Sequence, residues 1–339
     1  RLVLSLTTHF TDFANAVIKV PDMPESSAFV PTAMENVPDV SPLQGIPMVA
    51  VPQANSYGTA ELTYPIELPQ GRAGLQPNLD LHYSSSNGNG PLGVGWNIAF
   101  PAISVDTRWG VPRYSEGLET EAYLVNGQQI VMHDEHGLAV PLPHQDTLFA
   151  TRLYQDRQFY YRDTRNMDSI VRHDPDRNGR YWWSVTSTNG TTAYYGRYFD
   201  PEHPDIDSID ENSVITNSVG KIGYWALTAV VDIDGNYIQY INEKVNNNIY
   251  MSEIRYTGNC HANSQVLPKY KIVLNWTDRP DELSDGRLGV MRYHSRRLCY
   301  ISILNASTYL NIYGFLYDYS PSTLYKSRLY RIGKVDDVD

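Results

Sequence analysis

Two cysteines in 339 residues, Cys260 and Cys299, cannot supply a disulfide framework, and at most one bridge could join them. Positive charge is also scarce. Lys and Arg total 27 against 38 Asp and Glu, a net charge of −11 that argues against a chain built to grip phosphate backbones, and no nucleic-acid partner is expected. No apolar run approaches the roughly 18 residues a membrane helix needs, so no membrane span is expected. No Gly-x-Ser-x-Gly elbow and no His-Glu-x-x-His helix occurs, and neither cysteine carries a known catalytic-thiol signature. Phenylalanine (8) and tryptophan (6) are few beside 26 tyrosines. Tyrosine suits half-buried strands, where the ring packs and the hydroxyl meets water or a partner. Hydrophobic residues at 42% and charged residues at 19% fit a folded chain.

The chain divides by composition. Val3, Leu6, Phe10, Phe13 and Val17 recur at spacings of three and four, which predicts one short amphipathic helix within residues 1–20. The stretch is too broken by polar residues to read as a secretion signal. Seven prolines between Pro21 and Pro52 predict an extended strap or linker over residues 21–56. A β domain is expected over residues 57–335. The acidic ending Asp336 to Asp339 reads as the start of a following domain, and the missing initiator methionine as a sign of a fragment or processed form.

The body alternates with period two. Leu62, Tyr64, Ile66 and Leu68 share one face; Leu79, Leu81 and Tyr83 share the next. Asn126-Gly127, Asn189-Gly190 and Asp234-Gly235-Asn236 each stand between apolar runs and predict hairpins. Further strands are expected at Tyr270 to Trp276, Met291 to Leu304, Tyr309 to Tyr319 and Leu324 to Ile332. Tyr309, Tyr313, Phe315, Tyr317 and Tyr319 fall on one face and Leu310, Ile312 and Leu316 on the other, which predicts a strand covered on both sides. With no βαβ rhythm, the fold class is all-β: a large, antiparallel, hairpin-rich shell.

The chemistry search nominates no catalytic, cofactor or metal residue. The run from Ser84 to Trp96 is glycine-rich, but no Lys-Ser/Thr pair and no helix follow it. It reads as a tight connection dropping the Trp96 indole into the core, with glycine wherever a β-carbon would clash. Asp174 to Gly179 has the opening of a calcium loop, yet Val185 stands where the bidentate glutamate belongs. His133 and His136 bring no third metal ligand.

The blocks Leu68 to Pro77, Leu79 to Ser85 and Asn87 to Trp96 together resemble the amino-terminal domain of SpvB-type virulence proteins, which also opens the B component of bacterial Tc insecticidal toxins. The residues that carry the signature are Gly71, Gly74, Leu75, Pro77, Tyr83, Gly88, Gly90, Gly93, Gly95 and Trp96. Trp109 to Tyr114 with Tyr123 to Gly127, and Trp225 to Asn259, are similar to later blocks, so the likeness runs from about Gly58 to the end. It implies a scaffold related to Rhs/YD-repeat shells and a secreted, extracellular bacterial protein. Its expected partners are a C-type Rhs subunit and an A-type pore subunit, or a toxin domain in cis. It implies a non-catalytic module of a shell that encloses or delivers a toxic payload. Two rivals stand beside it: a glycan-binding or adhesion module, motivated by exposed Tyr and Trp on a β surface and tested by replacing Trp182 or Trp183, and an ADP-ribosyltransferase. The latter's Ser-Thr-Ser strand should precede its Glu-x-Glu pair, whereas Glu119-Thr120-Glu121 comes before Thr186-Ser187-Thr188.

Overall fold

The structure, a computed structural model, describes residues 53–54, 58–134, 136–143, 149–163, 166–176, 178–260, 266–321 and 324–336. The expected helix of residues 1–20, most of the strap and residues 337–339 lie outside them. Among the described residues there are strands and turns and no α-helix.

A small antiparallel sheet comes first, from β1 (Gln53–Ala54), β2 (Ala60–Tyr64), β3 (Leu81–Ser84) and β6 (Trp96–Ile98); β4 (Asn89–Gly90) and β5 (Gly93–Val94) form a two-stranded ribbon within it. Gln53 and Ala54 pair with Glu61 and Ala60, so the end of the expected strap is sheet. The strand through Leu62 stops at Tyr64 because Pro65 has no amide hydrogen for the ladder. The inward alternation nevertheless persists through Ile66 and Leu68.

Eight strands then close a barrel: β7 (Ala102–Val105), β8 (Tyr123–Val125), β9 (Gln128–Val131), β10 (Arg157–Tyr161), β11 (Ser169–His173), β12 (Trp182–Thr186), β13 (Thr192–Tyr195) and β15 (Ile222–Val231), with β14 (Val214–Thr216) paired to β15. Closure falls to β15, which pairs with β7 through Tyr224–Ala226 and with β13 through Leu227–Val231. Closing the sheet removes free edges at no cost in unsatisfied backbone groups. The barrel interior is aromatic: Tyr123, Phe159, Trp183 and Trp225 are all but inaccessible, with ring centroids 5.0–6.1 Å apart. From β15 the sheet continues outward through β16 (Asn236–Val245), β17 (Asn248–Asn259), β18 (Tyr270–Asp285), β19 (Arg292–Asn305), β20 (Thr308–Asp318) and β21 (Arg328–Asp336). Its inner face packs on the small sheet around Leu81, Ile98, Ile272, Ile301 and Phe315. Because β15 belongs to both barrel and sheet, its burial is nearly continuous, not alternating.

The three hairpins form where the Asn/Asp-Gly pairs stand, joining β8 to β9, β12 to β13 and β15 to β16. Other expectations need correction. The tyrosine strand β20 is covered unevenly: Tyr313 and Phe315 are buried and Leu310 and Ile312 half-buried, but Leu316 and Tyr309, and Tyr319 beyond its end, are exposed. Register shifts at Ile303/Leu304 and Leu316/Tyr317 break the single-face arrangement, turning the end tyrosines out. Leu324 and Tyr325 form a turn with left-handed φ angles of 53° and 55°, so the last strand begins at Arg328, and Asp336 ends it opposite Asn311.

Candidate functional site

The signature residues gather around β3 to β6. Gly71, Gly74, Leu75 and Pro77 shape the β2–β3 connection, where Leu75 N–H donates to the Arg72 carbonyl at 2.9 Å. At Gly95, φ is +81° and a β-carbon would run into the Tyr83 ring, which packs 5.4 Å from Trp96. At Gly93, φ is +87° and a β-carbon would strike the Ser327 carbonyl, the group that accepts from Val94 N–H at 2.9 Å. Trp96 itself is half-buried, packed at the margin of the core and not within it.

What this loop grips is an ion pair. The β18–β19 ladder breaks between Asp278 and Leu283, and the register shift leaves Arg279 and Asp281 without partners on β19. Arg279 is 1% exposed and Asp281 7% at their side chains, 3.0 Å apart. Arg279 donates to the Gly90 carbonyl (3.0 Å) and to Asn89 Oδ1 (2.6 Å). Asp281 accepts from Asn89 Nδ2 (2.7 Å) and from Ser327 N–H and Oγ–H (both 2.6 Å). Burial works against the Asp281 charge, but the donors from Arg279, Ser327 and Asn89 outweigh it and hold the carboxyl far below the usual range. The glycine loop, the β18 bulge and the entry to β21 thus form one clasp. Pro280, in mid-strand, was the signal that could have found it.

A second buried cluster lies in the barrel. Arg172 on β11 donates to both oxygens of Glu119, at 2.5 and 3.0 Å, and stacks over Tyr181 and Phe159. Arg152 reaches Glu119 at 3.3 Å and Glu121 at 3.0 Å. Burial pushes Glu119 up, but the two guanidiniums prevail and leave its carboxyl below the ordinary value. Tyr123 and Tyr181 share a 2.7 Å hydrogen bond, and burial raises both phenols. The Glu119-x-Glu121 pair that could have faced a nucleotide is therefore buried against cations, with both side chains 3% exposed or less.

The other sequence candidates disperse. His133 stacks on Tyr160 at 4.1 Å, while the Asp134 carboxylate caps the turn through His136 and Leu138 N–H groups. Asp174 accepts from the Asn178 and Gly179 amides, a self-closing turn. No group of three or more His, Cys, Asp or Glu with metal-holding geometry occurs among the described residues. Cys260 and Cys299 are free thiols. Trp182 and Trp183 are buried, 5% and 0% exposed, against the premise of a sugar platform: Trp182 donates to Asp207 at 2.6 Å and stacks on His173. No described helix is long and apolar enough to cross a membrane.

The family described as Salmonella virulence plasmid 65kDa B protein, SpvB, matches residues 54–271, more than half of the chain. The chain belongs to the SpvB family. Two curated SpvB relatives named mono(ADP-ribosyl)transferase, from Salmonella choleraesuis strain SC-B67 and Salmonella typhimurium strain 14028s, are each 33% identical over 205 residues, 55% of this chain. The matched segment spans only 33% of those relatives' length. Among solved structures, the N-terminal domain of effector SpvB from Salmonella typhimurium LT2 superposes with a TM-score of 0.62 at 18% identity, covering 80% of this chain and 98% of that domain. TcdB2-TccC3 superposes with a TM-score of 0.65 at 19% identity, covering 85% of this chain and 16% of that one. A Tc holotoxin pore structure from Photorhabdus luminescens matches at 0.62 and 19% identity, over 84% of this chain and 15% of its own. The described fold of this chain, shared with that domain, is all-β, as the strand pattern predicts.

Proposed function

We propose that this chain is a non-catalytic structural and carrier module of a secreted bacterial toxin or virulence factor, one section of a shell that encloses or delivers a toxic payload. One observation carries the reading: the same fold stands as an entire N-terminal domain in SpvB and as about one-sixth of the much longer TcdB2-TccC3 chain. A unit reused in such different contexts is suited to building, while chemistry resides in what it is joined to. The internal chemistry agrees. Its best-placed carboxylates, Glu119, Glu121 and Asp281, are buried against arginines. Among the described residues β21 is the outermost strand of the sheet, with Tyr330 and Val335 exposed, an edge on which a wall extends by adding strands. The partners are a C-type Rhs subunit and an A-type pore subunit, or a toxin domain in cis.

The test is hydrogen exchange on the chain with and without its C-type subunit. Protection gained along β21 on assembly supports the reading; unchanged exchange there with full binding elsewhere removes the edge from it. The chain alone is expected to leave NAD unhydrolysed.

A further inference from the structure

Between barrel and long sheet lies a cleft of about 750 Å3. Arg279, Arg292, Arg296 and His294 line it, and no carboxylate does, in a chain of net charge −11. The three arginines are not equivalent. Arg279 is held by Asp281 at 3.0 Å, and Arg296 by Glu243 at 3.2 Å with Asp278 at 3.9 Å. Arg292 has no carboxylate within ion-pair distance among the described residues. Among the described residues its side chain makes one hydrogen bond, a long one of 3.4 Å to Asn248 Oδ1, and its face lies over the Tyr224 ring at 5.4 Å. Its Nε–H is buried without an acceptor. The acid acting on it is Asp285, which is bound to Arg287 at 2.9 Å.

A buried guanidinium donor with no acceptor is costly unless something fills the place. The fork geometry of arginine matches a carboxylate or phosphate, and such a pair strengthens where water is excluded. In the same cleft Phe100 and Trp276 present tilted rings 6.3 Å apart. Trp276 is held in place, its indole N–H donating to the Met251 carbonyl at 2.8 Å. We propose that this cleft binds a small organic anion, its carboxylate or phosphate on the Arg292 guanidinium and its flat apolar body against Trp276 and Phe100. His294, kept neutral by burial and by its cationic neighbours, offers a further hydrogen-bonding group without competing for the anion.

The test uses Trp fluorescence and calorimetry on the purified chain, with benzoate and phenyl phosphate as probes and benzamide and inorganic phosphate as controls. Both probes should bind saturably, and both controls about tenfold more weakly or worse. Arg292→Gln should lower probe affinity by about tenfold or more, Arg292→Lys by less, and Arg328→Gln, outside the cleft and paired with Asp318, not at all. Thermal melts report whether each variant folds. If Arg292→Gln does not, Phe100→Leu serves instead and should bring phenyl phosphate down to the affinity of inorganic phosphate. Equal binding of benzoate and benzamide, inorganic phosphate matching phenyl phosphate, binding that survives in folded Arg292→Gln, or no probe binding would each overturn the proposal.

Discussion

Asp281→Asn changes almost no volume and removes one charge from the clasp. In the native protein the carboxylate accepts five hydrogen bonds: one from Asn89, two from Arg279 and two from Ser327. The amide keeps one acceptor oxygen and turns an NH2 group towards donors. It also leaves Arg279, 1% exposed, as a buried cation without its counter-charge. Breaking a buried pair from one side costs about 3–5 kcal/mol. With an unfolding entropy of about 2.1 cal/mol/K per residue, a body of this size loses about 0.6 kcal/mol per kelvin, so the melting temperature should fall by about 5–8 °C. The assay is thermal unfolding followed by tryptophan fluorescence. Adding Arg279→Met should recover part of the loss, since the orphan charge goes too. Because the Asp281 carboxyl is held below its unfolded value of about 3.8, its contribution is complete above that pH and is lost as pH falls below it. The variant's deficit should therefore be constant from pH 5 to 8 and shrink under stronger acid. A melting temperature within about 1 °C of the parent protein would refute the clasp.

Gly95→Ala combines a positive φ with a collision against Tyr83 and should cost about 2 kcal/mol or more, whereas Gly88→Ala, with open space around it, should stay within about 0.5 kcal/mol; denaturant titration compares them. His294 is pushed down to about 4, first by burial and then by Arg292, from the usual 6.5. Unfolding thus takes up a proton between those values, so stability should rise with pH from about 4 to 6.5, by at most about 1.4 kcal/mol per pH unit. His294→Gln should flatten that slope. Both cysteines should titrate as thiols after unfolding in denaturant, and melting should be indifferent to reductant.

The antiparallel all-β body was legible because its signals are local. Asn126-Gly127 and Asp234-Gly235 dictate tight turns, and the alternation around Leu62 or Leu81 survives whatever the neighbours do. The barrel was not legible, since its closure depends on β15 pairing with strands from two distant stretches, and pairing at that separation leaves no periodic trace. Trp182 and Trp183 misled for a related reason. Adjacent strand residues point to opposite faces, so exposure of one is the natural expectation. Here β12 is covered on both faces, with His173 and Arg197 lying on Trp182 from outside the barrel. The glycine signature was visible as residue types, but its purpose depends on Arg279, Asp281 and Ser327, about 190 to 240 positions further along. Only Pro280 hinted at a break there.

Whether the proposed shell module does any chemistry of its own is decided by incubating the chain at stoichiometric concentration with NAD and following nicotinamide release. No release above the spontaneous rate is expected. Turnover abolished by a single substitution at Glu119 or Glu121 in a variant that still melts like the parent protein would contradict it.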